Sequence, residues 1–366
     1  MSQAQSTTQP ATPGPGPGTE EDANAPTVPL VDLEAALSDD PPEGLLAEVR
    51  AGAAEFGILQ VVNHGVPQQV IEDFHRSIGR VLDLPRSEKT ALASPTGHPY
   101  RGWRQWPDDF GRLELERFSI AQFETAADAE AAGLTAEHAQ LYTHPNVWPS
   151  QEPALRASAE QYHDALVEVG RRVIALYAKV LGVPARTFPV DGVPYTTFVV
   201  NDYPAWTHPD GVTDEDKLLL LEHADTSAVT VLHQEGDYAG LQGQRADGSW
   251  AAVPVVPGAL QVFTGTLLTN WTNGRLRAGR HRVVAGGSVT RRSSAVFLSP
   301  PLPTVVEPLA PFLNGDEESD YEPVSIWGEA RRRVEDYLQV FGRPEQIEAW
   351  REGPVALPAL LAPLPR

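Results

Sequence analysis

The chain has no cysteine among its 366 residues. That absence removes disulfides, thiolate nucleophiles, iron–sulfur clusters, thiolate-ligated haem and cysteine-type zinc sites together. Lysine is nearly missing as well. Only Lys89, Lys179 and Lys217 stand among the 28 basic residues, an arginine bias that reads as genomic base composition before any function. Positive charge is outnumbered: 49 acidic residues leave a net charge of −21. Such an excess repels phosphate backbones and anionic lipid, so neither nucleic acid nor a membrane surface is an expected partner. No apolar run reaches membrane-spanning length. The opening MSQAQSTTQPATPGPGPGTEEDANAP lacks the basic and apolar stretches of a signal peptide, so a cytoplasmic protein is expected, with no obligate protein partner evident.

What is present divides unevenly. Residues 1–26 are Pro/Gly-rich and acidic with almost nothing to bury, and are read as a disordered tail. Order is expected from TVPLVDL, followed by a helix around 42–56, the apolar run ILQVV (58–62) and a second helix over 67–84. Residues 86–150 show weak periodicity and are read as irregular, the close of an N-terminal region spanning 27–150. From 151 to 342 the chain forms a second region. Tyr162, Leu166, Val169, Val173, Leu176 and Val180 recur at helical steps in a long helix over 152–181, which Gly182 and Pro184 end. Short β-like runs follow: TTFVVNDY, AVTVLHQ, YAGLQGQ, SWAAVPV, ALQVFTG, HRVVAGG and SSAVFLS, with Asp247-Gly248 as a hairpin signal. Seven or more short strands at this spacing predict a mainly β protein with flanking helices, built as a β-sandwich or jelly roll. A helix over 325–341 and a Pro/Leu-rich tail, 343–366, finish the chain. The tail is a candidate lid.

His-x-Asp occurs twice, as His208-Pro209-Asp210 and His223-Ala224-Asp225. The first carries Pro and Gly in a polar run and reads as a turn. The second follows LLLLE and leads into AVTVL. In extended chain, residues i and i+2 project to one side, so His223 and Asp225 can converge on one ion. His281, at the start of HRVV, is the best-placed third ligand. Two histidines and one carboxylate on one face of an octahedral ion form the facial triad of non-haem Fe(II) oxygenases, with three positions left open.

At this point a resemblance is evident. His223-x-Asp225, His281 after TNGRL, and Arg291-x-Ser293 before AVF resemble the iron(II)/2-oxoglutarate-dependent dioxygenases. The subgroup is that of isopenicillin N synthase, deacetoxycephalosporin C synthase and the plant flavonoid and gibberellin oxygenases. VPLVDL, EFGILQVVNHGVP and Asn201-Asp202-Tyr203-Pro204 agree with it, and the likeness covers roughly residues 27–342. It implies a double-stranded β-helix core, Fe(II), 2-oxoglutarate and O2 as cofactors with ascorbate as a candidate reductant, and a small-molecule substrate. His223, Asp225 and His281 become the expected catalytic iron ligands. Arg291 and Ser293, at alternate strand positions, are expected to bind the distal carboxylate of 2-oxoglutarate, helped by Tyr203 and Asn201; a guanidinium fork suits a carboxylate. Tyr100, Arg101 and Trp103 lie where related enzymes present substrate contacts, with Arg101 as the candidate partner of an anionic substrate. His64 is read as structural. Hydroxylation, desaturation or cyclisation at an unactivated C–H bond is the implied chemistry, with bacterial secondary metabolism as its setting. Two alternatives stay open: an oxidase like isopenicillin N synthase that needs no 2-oxoglutarate, and a metal-binding jelly roll without turnover. A zinc hydrolase is disfavoured because no HExxH motif occurs.

Overall fold

Two facing β-sheets, with helices against the outer side of the larger one, organise the computed structural model. It describes residues 27–341, apart from 96–97, 99, 108–112, 204, 206–217, 237, 239, 286–289, 314–318 and 320. The expectations for both tails, and the His208/Asp210 pair, lie outside the described residues.

Along the chain come β1 (Leu30–Asp32), α1 (Leu33–Leu37), α2 (Leu45–Glu55), β2 (Ile58–Val62), α3 (Gln68–Leu82) and α4 (Arg86–Thr90). Next are β3 (Gly102–Pro107), β4 (Leu113–Ile120), α5 (Ala126–Ala131), α6 (Ala136–Ala139) and the long α7 (Ala154–Leu181). The jelly-roll strands are β5 (Tyr195–Tyr203), β6 (Leu218–His223), β7 (Val229–Glu235), β8 (Leu241–Gln244), β9 (Trp250–Ala252) and β10 (Leu260–Thr264). After α8 (Thr266–Trp271) they continue with β11 (His281–Val284) and β12 (Arg291–Ser299). The short pair β13 (Val305–Val306) and β14 (Val324–Ser325) precedes α9 (Ile326–Phe341). The larger sheet runs β1-β2-β10-β7-β12-β5-β4-β3, and the smaller runs β6-β11-β8-β9. This is the expected double-stranded β-helix with flanking helices.

The span 86–150 corrects the sequence reading. It supplies β3 and β4, which pair antiparallel and extend the larger sheet through β5. Their alternation is hidden because both faces are mixed: Trp103, Gln105, Glu116 and Phe118 share one, and Arg104, Trp106, Leu115 and Arg117 share the other, so neither a clean amphipathic period nor a continuous apolar run results.

Helix α7 holds the outer layer. Its stripe from Tyr162 to Val180 is buried against the larger sheet. Each fully buried side chain contributes about 1.5–3 kcal/mol, far more than differences in helix propensity, so packing rather than local preference sets this helix. Gly182 ends it in the left-handed conformation, φ 72°. On β5, Thr196 and Phe198 face α7: the Thr196 hydroxyl bonds the His163 ring at 2.9 Å, and the Phe198 ring lies 6.0 Å from that of Tyr162. Alternation therefore turns Thr197, Val199, Asn201 and Tyr203 toward the interior of the roll. At one end of that interior, Phe56, Ile58, Leu241, Phe263 and Val283 fill the space between the sheets. Hydrocarbon and aromatic side chains make up most of the buried core, with buried polar groups such as Gln60, His75, Thr230 and Ser294 among them.

At the turn from β10 into α8, Gly265 passes against the segment that follows β6. Its N–H donates to the Ala228 carbonyl at 2.9 Å, and a Cβ there would lie 1.9 Å from the Ser227 carbonyl oxygen. The two nearest atoms are the backbone carbonyl of Ser227, so the closest clash cannot be relieved by moving a side chain. Gly265→Ala should therefore cost roughly 1–3 kcal/mol or more and lower the melting temperature by several degrees in calorimetry. A variant that melts with the parent would refute this packing.

Candidate metal and cosubstrate site

Strands β6 and β11 pair antiparallel so that His281 lies directly opposite His223. The two rings are 4.3 Å apart at their centroids. Strand β6 ends at His223, and Asp225 sits two residues beyond that end. The spacing thus works through the strand exit rather than within the strand. That exit is fixed from across the roll: Thr266 N donates to the Asp225 carbonyl at 2.9 Å and Leu267 N to that of Ser227 at 3.1 Å. One donor atom from each of His223, Asp225 and His281 lies within 4.8 Å of the others.

The histidines are oriented for coordination. Nδ1–H of His223 donates to the Leu221 carbonyl at 2.7 Å, and Nδ1–H of His281 to the Gly279 carbonyl at 3.0 Å. Carbonyls only accept, so in each neutral ring Nε2 is the atom left for coordination, and Nε2 of His223 lies 3.5 Å from Asp225 Oδ1, its ion-pair partner when protonated. Burial pushes the Asp225 carboxyl up, but His281 and His223 outweigh it and hold it below the ordinary carboxylate range. Burial likewise drives His281 below the ordinary imidazole range. On His223 burial acts the same way, yet the bond to Asp225 prevails and raises it. Oδ2 of Asp225 is buried with no hydrogen-bond partner. A buried carboxylate oxygen without a hydrogen-bond partner, close to two imidazoles, is costly by itself and fits a divalent cation.

Arg291, at the start of β12, is 1% exposed. Its Nε and Nη2 donate to Gln234 Oε1 at 3.2 and 2.9 Å, its Nη1 to Ser293 Oγ at 3.1 Å, and its Cζ lies 5.1 Å from the Tyr203 ring centre. Burial holds its pKa below the usual arginine range. Among the described residues no carboxylate pairs with it. A desolvated cation with only neutral partners calls for an anion, and the distal carboxylate of 2-oxoglutarate fits. The sequence reading missed Gln234, which orients the guanidinium; on β7 it belongs to no motif, and only its register opposite Ser293 reveals it.

The expected substrate contacts divide. Tyr100 lines a small pocket of about 30 Å³ with Tyr195, Thr197 and Arg333. Arg101 is a correction. Its guanidinium is buried and donates to the carbonyls of His144, Tyr100 and Leu141, at 3.1, 2.8 and 3.0 Å, so it braces the loop instead of meeting an anion. Trp103 is a second correction. It pairs with Phe118 on the helix-covered face of the sheet, and its Nε1 donates to Glu116 at 3.0 Å. Missed in the sequence were Arg104 and Arg117, which alternate with these residues and take the opposite face. Asn201 is committed on one side, its Oδ1 accepting from Arg117 Nε at 2.8 Å. His64 donates from Nε2 to the Gly258 carbonyl at 3.1 Å and accepts Val66 N at Nδ1, so its ring is spent on structure.

With this geometry described, comparison with known proteins gives the family. Residues 195–300 match the 2OG-Fe(II) oxygenase superfamily, and residues 28–151 match the non-haem dioxygenase N-terminal region named for morphine synthesis. The chain is 30% identical to validamycin A dioxygenase of Streptomyces hygroscopicus subsp. limoneus over 74% of its length and 75% of the relative's. It is 28% identical to flavonol synthase/flavanone 3-hydroxylase of Eustoma exaltatum subsp. russellianum, over 81% and 82%. Neurospora crassa T7H, solved with alpha-KG and thymine, superposes with a TM-score of 0.68 at 21% identity, over 85% of this chain and 97% of that one. The chain belongs to the 2OG-Fe(II) oxygenase superfamily. It is an oxidoreductase of the dioxygenase class that uses Fe(II), 2-oxoglutarate and O2 and acts on small molecules. Among the described residues no helix is long and apolar enough to cross a membrane.

Asp225→Ala should remove the charged ligand and reduce Fe(II) affinity by more than the roughly 10–100-fold typical of changes one layer further out. Metal titration followed by melting temperature reads this out, because a bound ion stabilises the folded chain in proportion to its affinity. Parent-like stabilisation by iron in the variant would exclude Asp225 as a ligand.

Proposed function

We propose that this protein oxidises an unactivated C–H bond of a small organic molecule, converting 2-oxoglutarate and O2 to succinate and CO2, in bacterial secondary metabolism. His223, Asp225 and His281 hold the iron, and Arg291, Ser293 and Tyr203 hold the distal carboxylate of 2-oxoglutarate. The observation that carries this reading is the buried Arg291 fork, which has neutral protein partners and an open demand for an anion. The bacterial setting is supported by the likeness to a Streptomyces dioxygenase whose name assigns it validamycin A.

The protein's own part is to bind, orient and exclude. The Gln234 side chain and the Tyr203 ring fix the Arg291 fork, so the cosubstrate meets a preformed carboxylate cradle. The Leu221 and Gly279 carbonyls keep both ligand histidines in the tautomer that offers Nε2. Bound iron supplies the oxidative decarboxylation of 2-oxoglutarate coupled to oxidation of the substrate. The side chain of His223 is 39% exposed while that of Asp225 is 4% exposed, so the site opens on the His223 flank.

Removing one partner of a buried charge pair costs about 2–5 kcal/mol, so Arg291→Gln should weaken 2-oxoglutarate binding by roughly 30-fold to several thousand-fold. Calorimetric titration of the metal-loaded protein measures this. Succinate appearing in step with O2 consumption is expected of the parent. Oxygen uptake without succinate would instead favour the isopenicillin N synthase-like oxidase, in which the same cradle takes a substrate carboxylate.

A further inference from the structure

Behind the cosubstrate cradle, on the helix-covered side of the larger sheet, lies a second group of titratable side chains. Ser294 of β12 stands opposite His233 of β7, one residue along from the facing pair Ser293 and Gln234. Residues directly opposite in antiparallel strands share a face, and successive residues alternate. Gln234 therefore turns toward Arg291, and His233 turns outward to α3 and α7. There the His75 ring of α3 lies 4.5 Å from the His233 ring, centre to centre. His75 is 5% exposed. Its Nε2 meets Ser294 Oγ at 3.2 Å, and that hydroxyl meets the Tyr162 phenol at 2.9 Å. The His75 Nδ1 lies 3.2 Å from Glu235 Oε2, close enough for an ion pair but off the hydrogen-bonding direction. Nδ1 of His233 is buried with no hydrogen-bond partner.

Resting on the cosubstrate site proposed above, we infer that the packing of His75 on His233 is an acid-sensitive latch, which holds α3 against β7 while His233 is neutral and is steadied when 2-oxoglutarate binds. The link to the cosubstrate is the strand itself. Gln234 stands between His233 and Glu235, and it carries the contacts to Arg291 at 3.2 and 2.9 Å. A β7 that loosens on its outer face loosens the cradle on its inner one.

The surrounding charges leave a proton on His233 without support. Burial, then His75, then His64 drive its pKa down to about 3. Glu235 faces His75 instead, and it stands opposite Arg292, which pairs with Asp202 and Asp83. Arg172 of α7 donates to the His64 carbonyl and adds positive charge on that side. Burial holds the Tyr162 phenol above its usual range, so it stays neutral. Once α3 lifts, His233 regains an ordinary imidazole's affinity for protons. The opened form then takes up a proton as pH falls below 6.5, whereas the closed form resists until about 3. Within that window each pH unit favours opening by up to about tenfold, and above it the latch is indifferent to pH.

Hydrogen exchange on the full-length protein reads such local opening, after correction for the intrinsic pH dependence of amide exchange. Between pH 7.5 and 5.5 the opening of α3 should rise about tenfold in the parent. His233→Gln should abolish most of that rise, and His75→Gln, which removes one of the two opposing charges, should reduce it. At pH 7.5, saturating Mn(II) and 2-oxoglutarate should slow the opening of α3 severalfold. Melting temperatures verify that the variants fold, and His75→Gln carries the test if His233→Gln does not. No acid-dependent rise in the parent, or a rise as large in the variants as in the parent, overturns the inference. So does opening of α3 that ignores 2-oxoglutarate when calorimetry shows it bound. Failure of the parent to bind Mn(II) or 2-oxoglutarate at pH 7.5 would strike the underlying site assignment instead, and the acid response of α3 would still be read without either ligand.

Discussion

The pairing of His281 with His223 across β6 and β11 is the constraint on which the site depends. Side chains in a strand alternate faces, so slipping this ladder by one residue would turn one imidazole away from Asp225. The register is held by packing outside the site. Leu241 and Val283 pair within the smaller sheet and are buried with Ile58 and Phe263 of the larger one. The Asp225 exit is likewise held from elsewhere, by backbone N–H groups at the start of α8. Three donor atoms thus meet because two sheets and a turn agree, not because any local segment prefers that shape.

The charge distribution has an inside and an outside. The chain is strongly acidic as a whole, yet the interior of the roll presents Arg291, Arg117 and Arg104 on one face of the larger sheet. Net charge argues about solvent-facing partners and says little about a cavity lined by one sheet face. An acidic exterior around the buried Arg291 also fits its proposed role, because a desolvated guanidinium attracts a small dianion while the exterior repels large polyanions.

Much of the fold was legible in residue patterns. The α7 stripe, the short strands after residue 190 and the turn signal at Asp247-Gly248 each express a period that one buried face imposes. At the site, the His-x-Asp spacing and the alternate Arg291-x-Ser293 carried the juxtaposition that the structure displays. What stayed hidden depends on register between distant strands. Gln234, Arg104 and Arg117 belong to no motif, and their meaning comes from which residue lies opposite. The Arg101 and Trp103 expectations failed for a related reason. One arginine in a polar, aromatic stretch looks like any other until the sheet assigns faces; then Arg104 turns inward, Trp103 turns to the helices and Arg101 is absorbed by three carbonyls.

The sulfur-free interior has a chemical consequence for a protein that handles dioxygen. Thiols and thioethers are the side chains most readily oxidised, climbing to sulfenic or sulfoxide states that swell and polarise a packed core. Here the aliphatic and aromatic residues around the roll offer no such weak point, and the chain's single methionine is its first residue. Stray oxidant escaping an uncoupled turnover would therefore meet hydrocarbon, ring and imidazole before any sulfur. Self-inflicted damage is thereby directed to the metal's own ligands and the aromatic walls rather than to the framework that holds them.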